Sequence, residues 1–172
     1  MRAVLVPGVL ALLPGYASAV DPVGPLRAAC LAAVAWAGAD GPLEVVGSAQ
    51  GVRVGESLVA AGGFEARARG ALAPQPPVPP GGVVVVGNGS AKRGEASPGY
   101  VDAQAVGFDA ELGARLRAGD LGGIDHALAA ELWADTTALD ELAAVLPAGC
   151  AGTVDYEDDP FGVQYWVVRW EW

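Results

Sequence analysis

Residues 81–102 read Gly-Gly-Val-Val-Val-Val-Gly-Asn-Gly-Ser-Ala-Lys-Arg-Gly-Glu-Ala-Ser-Pro-Gly-Tyr-Val-Asp, and this stretch decides the fold. Four consecutive valines between glycines are too few for a buried helix and too uniformly apolar for a half-exposed strand. They therefore predict a central strand that is covered on both faces, as in an α/β sheet. Ligands of open α/β sheets bind beyond the carboxyl ends of the strands. The loop that follows is thus the candidate ligand site, with candidate residues Asn88, Gly89, Ser90, Lys92 and Arg93.

The composition predicts one soluble domain of ordinary size. The chain has 172 residues, of which 52% are hydrophobic and 17% are charged. Its formal net charge of −10 argues against nucleic acid or an anionic membrane surface as a partner. No apolar run reaches the roughly eighteen residues that a membrane span needs. Cys30 and Cys150 show no disulfide or CxxC spacing and are expected to be free thiols.

The first twenty residues admit two interpretations. Arg2, the apolar run Ala3–Leu13 and the triplet Ala17-Ser18-Ala19 are typical of a secretory signal peptide. Two Pro-Gly pairs interrupt that run, which favours instead a first strand, Ala3–Val6, that ends at a turn. We favour the strand and therefore a cytoplasmic location.

The hydrophobic pattern predicts strands and helices before the valine strand. A helix is expected over Pro25–Ala39, and the run Leu43–Val46 predicts a second buried strand, so that strand, helix and strand form a parallel crossover. A weaker pattern predicts a strand at Val52–Val54 and a helix near Glu56–Ala61. Residues 71–80 hold five prolines and are expected to form an extended connector within a single domain over residues 1–172.

After the loop, the pattern predicts three helices and a last strand. The helices cover Asp102–Ala118, Leu121–Ala134 and about Thr137–Leu146, the last with Thr137 as its N-cap. Valines and aromatic residues predict a strand within Gly162–Trp172. The whole pattern indicates an α/β fold with a mostly parallel central sheet and helices on both faces.

Conventional catalytic centres find little support in the residues. His126 is the only histidine, so one chain cannot supply a two-histidine iron site or a histidine-rich zinc site. The acidic cluster at residues 155–159 offers oxygen ligands for calcium or magnesium but lacks EF-hand spacing, and a solvated loop explains it better. Ser90 lies outside a Gly-x-Ser-x-Gly motif, which argues against a serine nucleophile.

The loop itself has the chemistry of an anion site. Gly87 and Gly89 would leave backbone N–H groups free, and Lys92 and Arg93 add positive charge to an acidic chain. Neither the P-loop motif nor a complete Gly-x-Gly-x-x-Gly is present. A tight turn with two solvated cations is the alternative.

Several segments resemble one protein family. They are Val83–Arg93, Ser97–Tyr100, Phe108–Asp109 with Leu112, and Tyr156–Val163 before the aromatic strand. In these segments the chain resembles small actinobacterial proteins that are like the catalytic (B) subunit of class III extradiol ring-cleavage dioxygenases. The resemblance covers most of residues 81–172, and it is thinner in the first eighty residues.

The resemblance implies the fold but not the chemistry. Active members of the family bind ferrous iron with two histidines and a glutamate, and a further histidine acts as acid and base on the ring. The family's two histidine ligands correspond to positions at or near Gly8 and near Ser48 or Ala49 of this chain. The family's catalytic histidine corresponds to a position near Arg93. The glutamate falls near Glu131, which cannot hold iron alone. An arginine stays protonated at neutral pH, so Arg93 cannot act as the base, but it can hold an anion.

We therefore expect a catalytically degenerate member of that superfamily, without a cofactor, that binds a small anionic or aromatic ligand at the loop after residues 83–86. One alternative is an active ring-opening dioxygenase or other oxidoreductase, in which Glu131 and other carboxylates hold ferrous iron. Another is a non-catalytic subunit of a homo- or hetero-oligomer. An exposed apolar patch at Tyr165, Trp166, Trp170 and Trp172 would favour the subunit.

Overall fold

A six-stranded mixed sheet forms the middle layer of the molecule. The computed structural model describes residues 1–16, 20–70 and 81–172, with backbone only at 68–70; the predicted connector at 71–80 lies outside them. The strands are β1 (Arg2–Val6), β2 (Leu43–Gly47), β3 (Ala66–Gly70), β4 (Gly82–Val86), β5 (Thr153–Asp158) and β6 (Tyr165–Glu171). Their order is β3-β2-β4-β1-β6-β5. The first four strands are parallel, and β6 and β5 extend the sheet in antiparallel pairing.

Helices cover both faces of this sheet, as the sequence predicts. They are α1 (Gly24–Ala37), α2 (Ala49–Ala61), α3 (Ala105–Ala118), α4 (His126–Glu131) and α5 (Leu139–Ala143). One core lies between the sheet and α1 with α2, and it includes Val84 and Val86. The other lies between the sheet and α3, α4 and α5, and it includes Val83 and Val85. Successive side chains of β4 therefore point to opposite faces of the sheet and pack into the two cores in turn.

The valine strand occupies the predicted central place. Every residue of β4 is buried, and the strand pairs in parallel with β1 on one side and β2 on the other. The predicted strands at 3–6 and 43–46 are β1 and β2, which confirms both. They are parallel to each other, but β4 lies between them.

Helix α2 corrects the weak pattern before the connector. The strand predicted at Val52–Val54 is wrong, because these residues lie inside α2, whereas the helix predicted near Glu56–Ala61 is its second half. Ser48 caps the helix by accepting a hydrogen bond from the Gly51 N–H at 3.2 Å. The cap and the packing of Val54 against the sheet outweigh the strand propensity of the valines.

The three helices predicted after the loop exist, but all three are shorter, and α3 begins at Ala105 instead of Asp102. Helix α3 ends at Gly119, which has φ +67° as a left-handed C-cap, in agreement with the prediction. The helix predicted from Leu121 begins only at His126, where Asp125 accepts a hydrogen bond from the Leu128 N–H. Thr137 is not a cap: helix α5 begins after Ala138, without a side-chain cap.

The acidic cluster is mostly an edge strand, which corrects the predicted loop. Residues 155–158 belong to β5, whose pairing with β6 fixes them in the sheet. Three of the carboxylates have their own arginine partners: Asp155–Arg169, Glu157–Arg117 and Asp159–Arg93. The exposed apolar patch that would favour a non-catalytic subunit is not formed by Tyr165, Trp166 and Trp170, since all three are buried in the two cores.

Strand β1 is an interior strand between β4 and β6. A chain that began at Val20 would lack it, and β4 would lose its partner on that side. The Ala-Ser-Ala triplet at 17–19 lies outside the described residues. No helix in the described part of the chain has the length and apolar character needed to cross a membrane.

Candidate functional site

The loop after β4 begins at a reversal in the path of the chain. The chain leaves β1 and β2 toward α1 and α2 on one face of the sheet, whereas it leaves β4 toward α3 on the other. Such a reversal opens a crevice at the carboxyl ends of the strands, where α/β proteins bind their ligands. The loop therefore lies where the ligand sites of α/β proteins commonly lie.

Backbone hydrogen bonds fix the start of this loop. Asn88 and Asp135 exchange both N–H···O bonds at 3.0 Å, and the Gly89 N–H donates to the Gln164 carbonyl at 2.9 Å. The Gly87 N–H donates to the Val6 carbonyl at 3.0 Å. The N–H groups of Gly87 and Gly89 are thus engaged within the protein, so they do not form the anion cradle that the glycines predict.

Asp109 on α3 is a buried carboxylate that organises the middle of the loop. Its side chain is 1% exposed. It accepts hydrogen bonds from the Ser90 N–H at 2.8 Å and the Ser90 hydroxyl at 2.5 Å, and from Arg93 Nη1 at 2.9 Å. Ser90 is completely buried, so its hydroxyl stabilises the loop and is not placed to attack a substrate.

Arg93 joins this carboxylate to a second one. Its Nε donates to Asp159 at 2.7 Å while Nη1 donates to Asp109, and 20% of the side chain is exposed. Burial alone would lower the pKa of Arg93, but its hydrogen bonds to Asp109 and Asp159 outweigh burial and raise it. The guanidinium is therefore charged, and two carboxylates already balance that charge.

A cavity of about 150 Å³ opens beside Arg93. We call it the Arg93 cavity. Its lining combines charged, amide and apolar side chains: Arg93, Val106, Asp109, Ala110, Glu157 and Gln164. Val106 is exposed at this cavity, whereas Gln164 is 4% exposed.

Lys92 points elsewhere and lies over an exposed tryptophan. Its Nζ is 5.4 Å from the ring centroid of Trp133, which is 56% exposed. Trp133 has φ +58°, the left-handed region that side chains rarely adopt. The Ala91 N–H donates to the carbonyl of Leu132 at 2.9 Å, which ties the loop to this turn. We call the two side chains the Lys92–Trp133 pair.

Asp135 connects this turn to the end of β2. Besides its backbone pairing with Asn88, its carboxylate accepts a hydrogen bond from the Ser48 hydroxyl at 2.8 Å. The Gly8 carbonyl at the end of β1 accepts from Gln50 Nε2 at 2.8 Å. The ends of β1, β2 and β4 thus meet at one edge, as the strand-end argument predicts.

The structure divides the five candidate residues between two places. Asn88 stands at the strand-end edge and Lys92 lies in the Lys92–Trp133 pair, whereas Ser90 and Arg93 turn toward α3 and Asp109. Gly89 lies between them and is buried: a Cβ there would lie 2.5 Å from an Asp109 oxygen. The loop therefore does not gather Lys92 and Arg93 around one anion.

The proposed metal residues remain dispersed. Glu131 is exposed at the end of α4. His126 lies on the surface, with its ring nitrogens 3.1 Å from the Thr136 hydroxyl and 3.0 Å from Asp140. Among the described residues, no three histidine, cysteine or acidic side chains come together as metal ligands.

Trp133, Asp135 and Gln164 are the site residues that sequence reasoning missed. None lies in a recognised motif, and each reaches the loop only through tertiary contacts. Asp109 belongs to the Phe108–Asp109 segment of the resemblance, and an acidic residue on the apolar face of a predicted helix is the sequence signal for its role.

Comparison with known proteins yields no assignment: no protein-family model matches the chain, and no curated protein matches it. The fold defines an α/β protein with helices on both sides of a mixed sheet. The resemblance to the extradiol dioxygenase B subunit stays a prediction.

Proposed function

We propose that the protein binds a small aromatic acid at the loop after β4, as a catalytically degenerate relative of the class III extradiol dioxygenases. The ligand lies at the Lys92–Trp133 pair. The observation that carries the proposal is an exposed tryptophan in a strained backbone conformation beside a lysine, at the carboxyl edge of the sheet.

The two side chains offer complementary contacts for such a ligand. An exposed indole provides an apolar face on which an aromatic ring can stack. Lys92 is the only lysine of the chain, and among the described residues it has no carboxylate partner. Its ammonium group can therefore pair with the carboxylate of a ligand. Arg93 is less suited to that role, because Asp109 and Asp159 already hold it.

Backbone strain supports a functional role for Trp133. A non-glycine residue in a sparsely populated region costs about 1–3 kcal/mol, and such residues concentrate at binding and catalytic sites. Hydrogen bonds on both sides hold this turn, through the Leu132 carbonyl and the Asn88–Asp135 pairing. The position would be easier to occupy with glycine, so the indole is there at a cost to stability.

The overall charge restricts the class of ligand that the site can bind. A formal charge of −10 repels anions at long range, but salt screens that repulsion beyond about 8 Å at physiological ionic strength. A simple anion would gain only its contact with Lys92, whereas an aromatic acid gains stacking as well. We therefore expect benzoate to bind and inorganic phosphate to bind much more weakly.

Fluorescence titration with benzoate tests the proposal. Benzoate should quench the Trp133 emission saturably, with a dissociation constant on the order of 1 mM for so small a ligand. Trp133→Phe should remove the quenching signal, and Lys92→Gln should weaken binding by about tenfold. Arg67→Gln is the matched control, because Arg67 is an exposed cation at the opposite, amino-terminal end of β3.

Two results would contradict the proposal. One is equal affinity for benzoate in wild type and Lys92→Gln, which would remove the lysine from the site. The other is stoichiometric iron in the purified protein together with cleavage of catechol, which would restore the oxidoreductase alternative. Iron content and catechol cleavage are measured on the same preparation, so that the second result can be told apart from the first.

A further inference from the structure

We infer a second ligand site in the Arg93 cavity, and its chemistry selects a small neutral primary amide. The cavity lies on the α3 side of the loop, away from the Lys92–Trp133 pair. A volume of about 150 Å³ is enough for a single aromatic ring. This inference does not rest on the proposed function.

A buried amide side chain points to a ligand. Gln164 is 4% exposed and lines the cavity. Its Nε2 donates to the Tyr165 carbonyl at 3.2 Å, and within the described parts of the chain its side-chain oxygen has no hydrogen-bond partner. This oxygen is not sealed from solvent, so a molecule in the cavity can reach it. A ligand that donates an N–H to this oxygen would complete its hydrogen bonding.

Arg93 offers the ligand a hydrogen-bond donor, whereas Gln164 offers an acceptor. Its Nε and Nη1 donate to Asp159 and Asp109, and in the same described regions Nη2 has no acceptor. A ligand carbonyl could accept from Nη2. The carboxylates of Asp109 and Glu157 already accept hydrogen bonds within the protein. Beyond them the lining presents one acceptor and one donor, which is the pattern that a primary carboxamide complements, while Val106 and Ala110 offer apolar contact for a ring.

The surrounding charges disfavour an anionic head group, and the free donor of Arg93 disfavours a cationic one. Two guanidinium groups, Arg93 and Arg117, lie among the carboxylates of Asp109, Glu157 and Asp159, so one net negative charge surrounds the cavity. An anion would meet Asp109 and Glu157, which line the cavity. The net negative charge would attract a cation, but a cationic head group cannot accept a hydrogen bond from Nη2 of Arg93. A neutral amide satisfies both sides.

Benzamide, benzoate and benzylamine test this site, because they are similar in size and differ in charge. In an NMR titration, benzamide should shift the Gln164 side-chain amide and the Val106 methyl signals, with a dissociation constant on the order of 1–10 mM. Benzoate and benzylamine should bind at these signals about tenfold more weakly or less.

Variants separate this site from the Lys92–Trp133 pair. Ala110→Phe, at an exposed position that lines the cavity, should abolish the benzamide shifts without removing a polar group. Gln164→Leu should weaken benzamide binding about tenfold. Lys92→Gln should leave benzamide binding unchanged, so the two sites can fail independently. Equal binding of all three probes, unchanged binding to Ala110→Phe, or no benzamide shifts at all would overturn the inference.

Discussion

Replacement of Asp109 by asparagine tests whether the buried carboxylate holds the loop. The substitution keeps the volume of the side chain but removes its charge. Asparagine can still accept from the Ser90 N–H, but its NH₂ group would face Arg93 Nη1, which now donates to Asp109 at 2.9 Å. The loop then loses a charge-assisted hydrogen bond in a buried place.

The expected loss of unfolding free energy is about 2–4 kcal/mol. A hydrogen bond to a charged group is worth about 1.5–3 kcal/mol, and the removal of one partner of a buried ion pair costs about 3–5 kcal/mol. The top of the combined range does not apply, because Arg93 keeps Asp159 and is 20% exposed, so its charge retains a partner. Domains are stable by only about 5–15 kcal/mol, so this loss is large.

Urea unfolding followed by tryptophan fluorescence measures the effect. With a slope of about 2 kcal/mol per molar urea, the midpoint should fall by about 1–2 M. Asp159→Asn is the matched control: that side chain is 42% exposed, and its loss should cost less than about 1 kcal/mol. A midpoint for Asp109→Asn within error of wild type, or one no lower than that of Asp159→Asn, would refute the reasoning.

Three further predictions concern glycines and thiols. Gly89→Ala should lower the melting temperature by about 5 °C, since the new Cβ would lie 2.5 Å from an Asp109 oxygen, whereas Gly94→Ala should not, because nothing lies within 4 Å. In the native protein, Cys150 should react with an aromatic disulfide reagent and Cys30 should not. The reason is that Cys30 is fully buried, and burial raises its pKa to about 12. Rapid labelling of both cysteines would contradict this expectation. Burial raises the pKa of Cys30 from 9.0 and that of Tyr165 from 10.0, each to about 12. As the pH rises, these groups therefore ionise first in the unfolded chain. The unfolding free energy should consequently fall between about pH 9 and pH 12. A constant unfolding free energy over that range would show that these groups do not stay protonated in the fold.

Patterns that lie within one element were predictable from the sequence. The valine run identified the central strand, and the apolar spacing of Leu26, Cys30 and Val34 identified α1, because burial on one or both faces leaves a direct trace in the sequence. In α2, tertiary packing reversed a local preference: Val52 and Val54 favour a strand, yet the Ser48 cap and contact with the sheet make them helical.

Features that depend on distant contacts were not predictable. Strand β5 is half exposed and acidic, so its strand character comes from pairing with β6 and leaves little trace in its own residues. The strand-end location of the site followed from the valine strand. The separation of Lys92 from Arg93 did not, because it depends on Asp109 and Trp133, which lie on other elements.

The place of β4 between β1 and β2 also sets an order of assembly for the chain. During synthesis β1 and β2 leave the ribosome before β4, but they do not pair with each other. Each can pair with β4, the strand between them, only when residues 82–86 have emerged. Until then both expose unpaired edges and apolar faces, which are the features that promote aggregation of incomplete chains. Closure of the sheet must therefore wait for these central valines and then for β6, whose pairing of Arg2 with Glu171 spans a longer stretch of chain than that of Arg2 with Gly82 and is expected to form more slowly.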